Sequence, residues 1–311
     1  MKEFAGRTAV ITGAGSGFGR EFARLAAGLK MNVVLADIES NALEATRTEI
    51  AAQGAQVLAR KVDVSKGDEV EALADAAARA FGPLHLVFNN AGVGSGGLVW
   101  ENSIRDWEWV LGVNLWGVVH GVRSFVPRML EAAKRDPAYT GHVVNTASMA
   151  GMLNAPNMGI YNVSKHAVVS LTETLFQDLA LIEAPIGTSL LCPYFVPTGI
   201  TQSHRNAPSS LAEEGATASQ KAASMMIEKA VGSGKVTAAN IANSTFDAIR
   251  ENRFYVYSHP HALGNVQTRM EDILAIRNPS DPFAARPDVR EKLRATMREQ
   301  QATQTAPGEG A

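Results

Sequence analysis

A single cysteine, Cys192, leaves no partner for an intrachain disulfide and no thiolate set for a zinc or iron–sulfur cluster, and it suits a reducing compartment. Cytoplasm is therefore the expected location. The first residues carry no apolar signal segment, and no stretch reaches the roughly 18 uninterrupted apolar residues of a membrane span, so nothing is expected to target or anchor the chain. Lys+Arg number 29 against 31 Asp+Glu, a formal net charge of −2, with no basic block. Neither a nucleic-acid backbone nor an anionic membrane is then an evident partner. The seven histidines give no metal set, because His259-Pro260-His261 has no third ligand nearby in sequence, and no metal is expected.

What is present is core. At 46% hydrophobic and 19% charged, the 311 residues can bury a large interior, far from the balance of a disordered chain. Short β-branched runs alternate with helical patterns: Thr8 to Thr12, a helix through Leu25, Asn32 to Asp37, a helix over 42–52, then Val57 to Val64. A helix over 66–81, the run His85 to Asn89, a long helix over about 105–134 and the run Gly141 to Thr146 follow. A helix over about 157–182, the run Ile186 to Cys192, a helix over 237–250 and the run Phe254 to Tyr257 complete the series. Such alternation predicts βαβ units with right-handed crossovers: an α/β, doubly wound, mostly parallel sheet of seven strands with helices on both faces.

The pattern predicts one domain over 1–258. Within it, 203–235 is poor in aromatics and rich in Ser, Ala, Glu and Gly, and reads as a helical insertion near the carboxyl end of the sheet. A C-terminal helical extension over 259–299 follows, with Leu263, Val266, Met270, Ile273 and Leu274 at helical spacing, and 300–311 reads as a disordered tail.

Between the first strand and first helix stands Thr12-Gly13-Ala14-Gly15-Ser16-Gly17-Phe18-Gly19. Helix N-terminal amides favour a phosphate there, and glycine lets the backbone approach a pyrophosphate that a Cβ would fend off. The spacing is T-G-x-x-x-G-x-G, through Gly13, Gly17 and Gly19, without the Gly-Lys-Ser/Thr ending of a triphosphate loop. Asp37 ends the second strand 24 positions after Gly13, near the spacing of an acid that binds an adenosine ribose. Its carboxylate would repel a 2′-phosphate, and neither Ser16 nor Ile38 offers a compensating cation. NAD is favoured over NADP.

Tyr161 and Lys165, four apart, share one face of a predicted helix; Ser148 stands thirteen residues before Tyr161, at the end of the fifth strand. Asn114 lies inside the preceding helix, where asparagine is an indifferent helix former. Asn89-Asn90-Ala91-Gly92 closes the fourth strand.

With these residues in this order and at these spacings, the chain resembles the short-chain dehydrogenase/reductase family over residues 7 to about 258. The resemblance implies a seven-stranded Rossmann-type fold assembled as a homo-oligomer, tetramer or dimer, with the helices around Asn114 and Tyr161 pairing across an interface. It implies Tyr161 as general acid/base, Lys165 on the nicotinamide ribose, Ser148 on the substrate oxygen and Asn114 anchoring a water that relays protons. By the same resemblance Asp63 and Val64 hold adenine, Asn90 contacts the adenine-side ribose, and Val196 and Thr198 contact the carboxamide. Tyr194 stands where the family has glycine after Pro193, which puts the local backbone in question. A free tyrosine titrates near 10, and a nearby ammonium and cationic nicotinamide are expected to pull that value down toward working pH.

Met149, Ala155, Met158, Tyr194 and Phe195, with Leu98, Val99 and Trp100, are expected near the reacting carbon. They point to a medium to large secondary alcohol or ketone, aromatic or alicyclic, with the 203–235 insertion as a lid. Two alternatives are an NAD-dependent epimerase or dehydratase on the same fold, and a non-catalytic dinucleotide-binding regulator.

Overall fold

The computed structural model describes residues 1–209, 211 and 215–305. The strands are β1 (Thr8–Thr12), β2 (Asn32–Asp37), β3 (Val57–Lys61), β4 (Leu84–Asn89), β5 (Gly141–Thr146), β6 (Ile186–Cys192) and β7 (Tyr255–Tyr257). They pair in the order β3-β2-β1-β4-β5-β6-β7, every pairing parallel. Chain order thus reverses direction at β1, and the crevice beyond the carboxyl ends of β1 and β4 is where such a sheet binds ligands.

The helices between the strands are α1 (Gly17–Gly28), α2 (Ser40–Ala51), α3 (Gly67–Phe81), α4 (Ile104–Leu111), α5 (Gly117–Arg135) and α6 (Gly159–Leu181). After β6 come α7 (Ala218–Gly232) and α8 (Ala238–Glu251), and after β7 α9 (Leu263–Leu274) and α10 (Pro287–Thr305). Central strands are buried on both faces, so their sequences do not alternate between apolar and charged positions, and their polar residues are buried with the rest. One face is covered by α1, α2 and α8, where Phe22 stacks on Phe88 at 4.4 Å and Phe246 closes against the same ring. The other is covered by α3, α5 and α6 through Leu73, Phe125, Met129 and Leu175.

Four expected features differ. The third strand stops at Lys61: Val62 N makes a last rung to Asp37 O, and the chain then turns on Asp63, whose Oδ1 accepts from Ser65 N at 3.0 Å. The long helix over 105–134 is interrupted by a π turn, Gly112–Trp116, which holds Asn114. Glycines bracket it: a Cβ on Gly117 would lie 2.8 Å from Val64 Cγ2. The expected apolar face of α9 is only partly used: Val266 packs inward, while Ile273 and Leu274 are exposed. Finally, α10 runs through Thr305, so the tail expected to lack structure from residue 300 begins as helix; 306–311 lie outside the described residues.

The 203–235 insertion holds the end of a 3₁₀ turn (Gly199–Asn206) and α7, with 210 and 212–214 outside the described residues. Thr217 and Gln220 form a capping box that starts α7. Ala218, Ser219, Ala222 and Ala223 turn inward, and α10 lies along the helix. The extension and insertion together roof the carboxyl end of the sheet.

Candidate active site

A cleft of about 1760 Å³ runs from the glycine loop, past the ends of β1, β4, β5 and β6, to the roof formed by α7, α9 and α10. Gly13, Ser16, Gly17 and Phe18 line one end, with Asp37, Asp63, Val64 and Asn90 beside them. Ser148, Met149, Met158, Tyr161 and Lys165 line the middle, facing Tyr194, Phe195, Val196 and Thr198. Gly19 and Asn114 stand behind the wall rather than in it.

The glycine loop is shaped by contacts that forbid side chains. Gly13 sits at φ +65°, and an added Cβ would lie 2.9 Å from Ala91 Cα; a Cβ on Gly19 would lie 2.0 Å from Gly13 O. Asp37 fastens the loop to the end of β2: its Oδ2 accepts from Gly15 N at 2.8 Å and its Oδ1 from Glu39 N at 2.9 Å. Burial pushes that carboxyl above its ordinary range, and the two amides offset part of the rise. Asn90 ties three strand ends together, its amide donating to Thr12 O at 3.0 Å and accepting from Thr146 Oγ1 at 3.2 Å. Its side chain, expected on a ribose, is engaged within the protein.

Tyr161 and Lys165 are brought together by one turn of α6, both buried. Lys165 Nζ donates to Thr146 O at 3.0 Å and lies 5.7 Å from the Tyr161 ring centroid. Burial lowers the ammonium to about 8 and raises the phenol to about 12, with the Ser148 hydroxyl offsetting part of the latter. In the protein alone, burial thus raises the phenol, opposite in direction to the lowering expected with a cationic nicotinamide beside it. Ser148 is held by its own turn, donating to Pro193 O at 3.3 Å and accepting from Ala150 N at 3.1 Å.

Asn114 is fully buried beneath this group. Its Oδ1 accepts from Val93 N at 2.8 Å, and its Nδ2 donates to Val93 O at 3.0 Å and Ser164 Oγ at 3.1 Å. Ser164 in turn donates to Tyr161 O at 2.8 Å. The asparagine therefore locks the loop after β4 to the helix carrying Tyr161, which accounts for a polar residue inside a helix. Three protein hydrogen bonds hold its side chain in this position.

Tyr194 replaces glycine without strain, because its φ is not positive. Its N donates to Ser258 Oγ at 2.8 Å and its ring packs on Phe195 and against His259. Three expected pocket residues are not in the lining. Trp100 is 79% exposed, Val99 packs over Gly159, and Leu98 N donates to Ser219 Oγ to anchor α7. In their place the cleft takes Leu153 and Asn154 from the loop after β5, Met226 and Ile227 from α7, and Ile273 and Leu293 from α9 and α10. The cation judged missing near Asp37 is also present: Arg205 reaches the same end of the cleft and pairs with Glu39. No local pattern marks that pair, since its members lie 166 residues apart.

Comparison with known proteins agrees with this geometry. The family whose model is described as short chain dehydrogenase matches residues 7–209. A crystal structure of a short-chain dehydrogenase/reductase from Burkholderia phymatum in complex with NAD superposes with a TM-score of 0.88 at 54% identity, covering 91% of this chain and 100% of that one. The CLA biosynthesis dehydrogenase/reductase of Lactiplantibacillus plantarum is 32% identical over 277 residues, 88% of this chain and 95% of the relative. The 1-deoxy-11-beta-hydroxypentalenate dehydrogenase of Streptomyces exfoliatus is 34% identical over 273 residues, 86% of this chain and 88% of the relative.

Proposed function

The chain belongs to the short-chain dehydrogenase/reductase family, oxidoreductases acting on CH–OH groups, and from that premise we propose that it interconverts a medium to large, mostly apolar secondary alcohol and its ketone with NAD as cofactor. The observation that carries this reading is the convergence of Tyr161, Lys165 and Ser148 in one cleft whose far end is the tight glycine loop closed by Asp37.

The residues present fit a dinucleotide. A Cβ at Gly13 or Gly19 would collide with backbone, so only glycine lets the loop turn this tightly into the start of α1, whose amides suit a pyrophosphate. Asp37 suits the two ribose hydroxyls and disfavours a 2′-phosphate, and NAD in the Burkholderia relative is in keeping with that choice. Phe18 and Val64 flank this end, Asp63 stands at the turn after β3, Thr198 lies against Gly17, and Val196 lines the same cleft.

When bound, the nicotinamide supplies the carbon that accepts or returns hydride. Tyr161 moves the matching proton. In reduction its hydroxyl donates to the carbonyl oxygen as that oxygen gains charge, and in oxidation its oxygen takes the alcohol proton while the C–H electron pair leaves as hydride. Ser148 donates to the same oxygen, an oxyanion-type contribution of roughly 3 kcal/mol. Lys165 holds the nicotinamide ribose. Asn114 fixes the helix carrying Tyr161 through Val93 and Ser164, and a water relay anchored at this residue would carry the proton onward.

Met149, Met158, Tyr194 and Phe195 give the substrate end an apolar character, roofed by Met226, Ile227 and Leu293. The name of the Streptomyces relative, a hydroxypentalenate dehydrogenase, supports an alicyclic alcohol. Exposed Trp116, Val163 and Phe176 on the π turn and α6 support a homo-oligomer. Absorbance at 340 nm with NAD⁺ and a panel of secondary alcohols tests the reading. Turnover is expected with bulky cyclic alcohols and a 10²- to 10⁴-fold loss in Tyr161→Phe; full turnover by that variant would overturn it.

A further inference from the structure

Two residues beyond Asp37, Glu39 receives two donors from across the cleft. Arg205 Nε donates to its Oε1 at 2.7 Å and Asn206 Nδ2 to the same oxygen at 2.8 Å. Both donors lie at the end of the 3₁₀ turn that starts at Gly199, beside Ser16 and Gly17 of the glycine loop. The turn therefore spans the cleft from the loop to the start of α2.

The rest of the guanidinium is also occupied: Arg205 Nη1 donates to Gly199 O at 3.3 Å and to Gln202 O at 3.0 Å. Glu39 in turn is tied to Asp37, since its own N donates to Asp37 Oδ1. Asp37, Glu39 and Arg205 all line this end of the cleft. The hydrogen bonds from Arg205 and Asn206 hold the Glu39 carboxyl below the usual carboxylate range.

We propose that Glu39 is a second determinant of dinucleotide choice, keeping Arg205 from pairing with a phosphate on the adenosine ribose. The inference rests on the reading of Asp37 as the ribose-binding carboxylate. Arginine is the side chain best shaped for phosphate, with planar, paired donors and a permanent charge. Placed beside a ribose site and left free, it would welcome a 2′-phosphate. Here it is neutralised by Glu39 and folded onto its own turn, so a 2′-phosphate meets two carboxylates and no available cation. Removing the Glu39 charge takes away one repulsion and leaves the positive charge of Arg205 uncompensated at this end of the cleft.

The test is fluorescence titration of the intact protein with NADH and with NADPH, in wild type, Glu39→Gln and Glu39→Gln/Arg205→Leu. In Glu39→Gln the ratio of the NADPH Kd to the NADH Kd is expected to fall about tenfold, the size of one charge-assisted hydrogen bond. Adding Arg205→Leu should remove most of that gain. A ratio that Glu39→Gln leaves in place, or a gain that survives the loss of Arg205, would overturn the proposal. Failure of wild type to bind either nucleotide would instead end the dinucleotide reading, and this inference with it.

Discussion

The Lys165 ammonium lies over the Tyr161 ring at 5.7 Å while donating its own proton to Thr146 O at 3.0 Å. Lysine and tyrosine are thus pinned as a unit to the end of β5, one turn apart on α6. Burial acts on the two in opposite senses, raising the phenol to about 12 and lowering the ammonium to about 8. Both shifts favour the neutral form of each group.

The raised phenol gives an expectation for the pH behaviour of the two directions. A phenol raised to about 12 is protonated throughout the neutral range, which is the form ketone reduction needs. Oxidation needs the phenolate, whose fraction grows with pH. Alcohol oxidation is therefore expected to rise between pH 6 and pH 9, by at most about tenfold per unit, while reduction stays level over pH 6 to 7.5. Initial rates with saturating cofactor in each direction check this; oxidation that is flat with pH would remove Tyr161 as the group losing the proton.

Lys165 links the site to stability. Below pH 8 the lysine is charged in both folded and unfolded chains, so its burial penalty is present in full. Between pH 8 and its ordinary value of 10.5 the unfolded chain still holds a proton that the folded one releases, so stability rises with pH across that window. The difference in unfolding free energy between Lys165→Met and wild type should shift in favour of wild type by on the order of 3 kcal/mol from pH 7 to pH 10.5. Denaturant melts at several pH values measure it. A difference that does not move with pH would mean that the ammonium is solvated.

Much of this arrangement is legible in the sequence because it is local. The sheet is written in buried β-branched runs, the cradle in Gly13, Gly17 and Gly19, and the reacting pair in a four-residue spacing. The π turn at Gly112–Trp116 is not legible, because the contacts around it are long-range: Val64 from the turn after β3 meets Gly117, and Asn89 of β4 meets Gly121. The rise of the Tyr161 phenol also escapes a sequence reading. Proximity to a lysine can be read from spacing, whereas burial depends on what the rest of the chain places overhead. For the same reason the sequence discloses the pocket only in part: Met149 and Met158 line it, while Trp100 faces outward and Leu293 enters from the far end of the chain.

Gly19 carries a structural prediction. A methyl at this position would lie 2.0 Å from Gly13 O and 2.9 Å from Asn90 Nδ2, and the first is backbone that cannot swing away. Gly19→Ala is expected to cost about 1–3 kcal/mol of stability, as overpacking does, and to weaken dinucleotide binding at least tenfold by displacing Gly13. Thermal melts with and without NADH report both, and a variant as stable as wild type with unaltered binding would show that the loop is free to shift.

The roof carries the last prediction. Leu293 of α10 is buried where that helix lies along α7, and both helices reach the substrate end of the cleft, α7 through Met226 and Ile227. Neither helix touches Tyr161, Ser148 or Lys165 through a hydrogen bond among the described residues. Breaking their contact should therefore act on substrate capture and leave the chemistry in place. Leu293→Asp, which places a charge in this apolar seam, is expected to raise KM for a bulky cyclic alcohol about tenfold. Turnover of a small secondary alcohol, too short to reach the roof, should stay within about twofold. An equal fall in kcat for both substrates would mean that α10 holds the catalytic residues in position; unaltered KM values would mean that the helices do not close over the substrate.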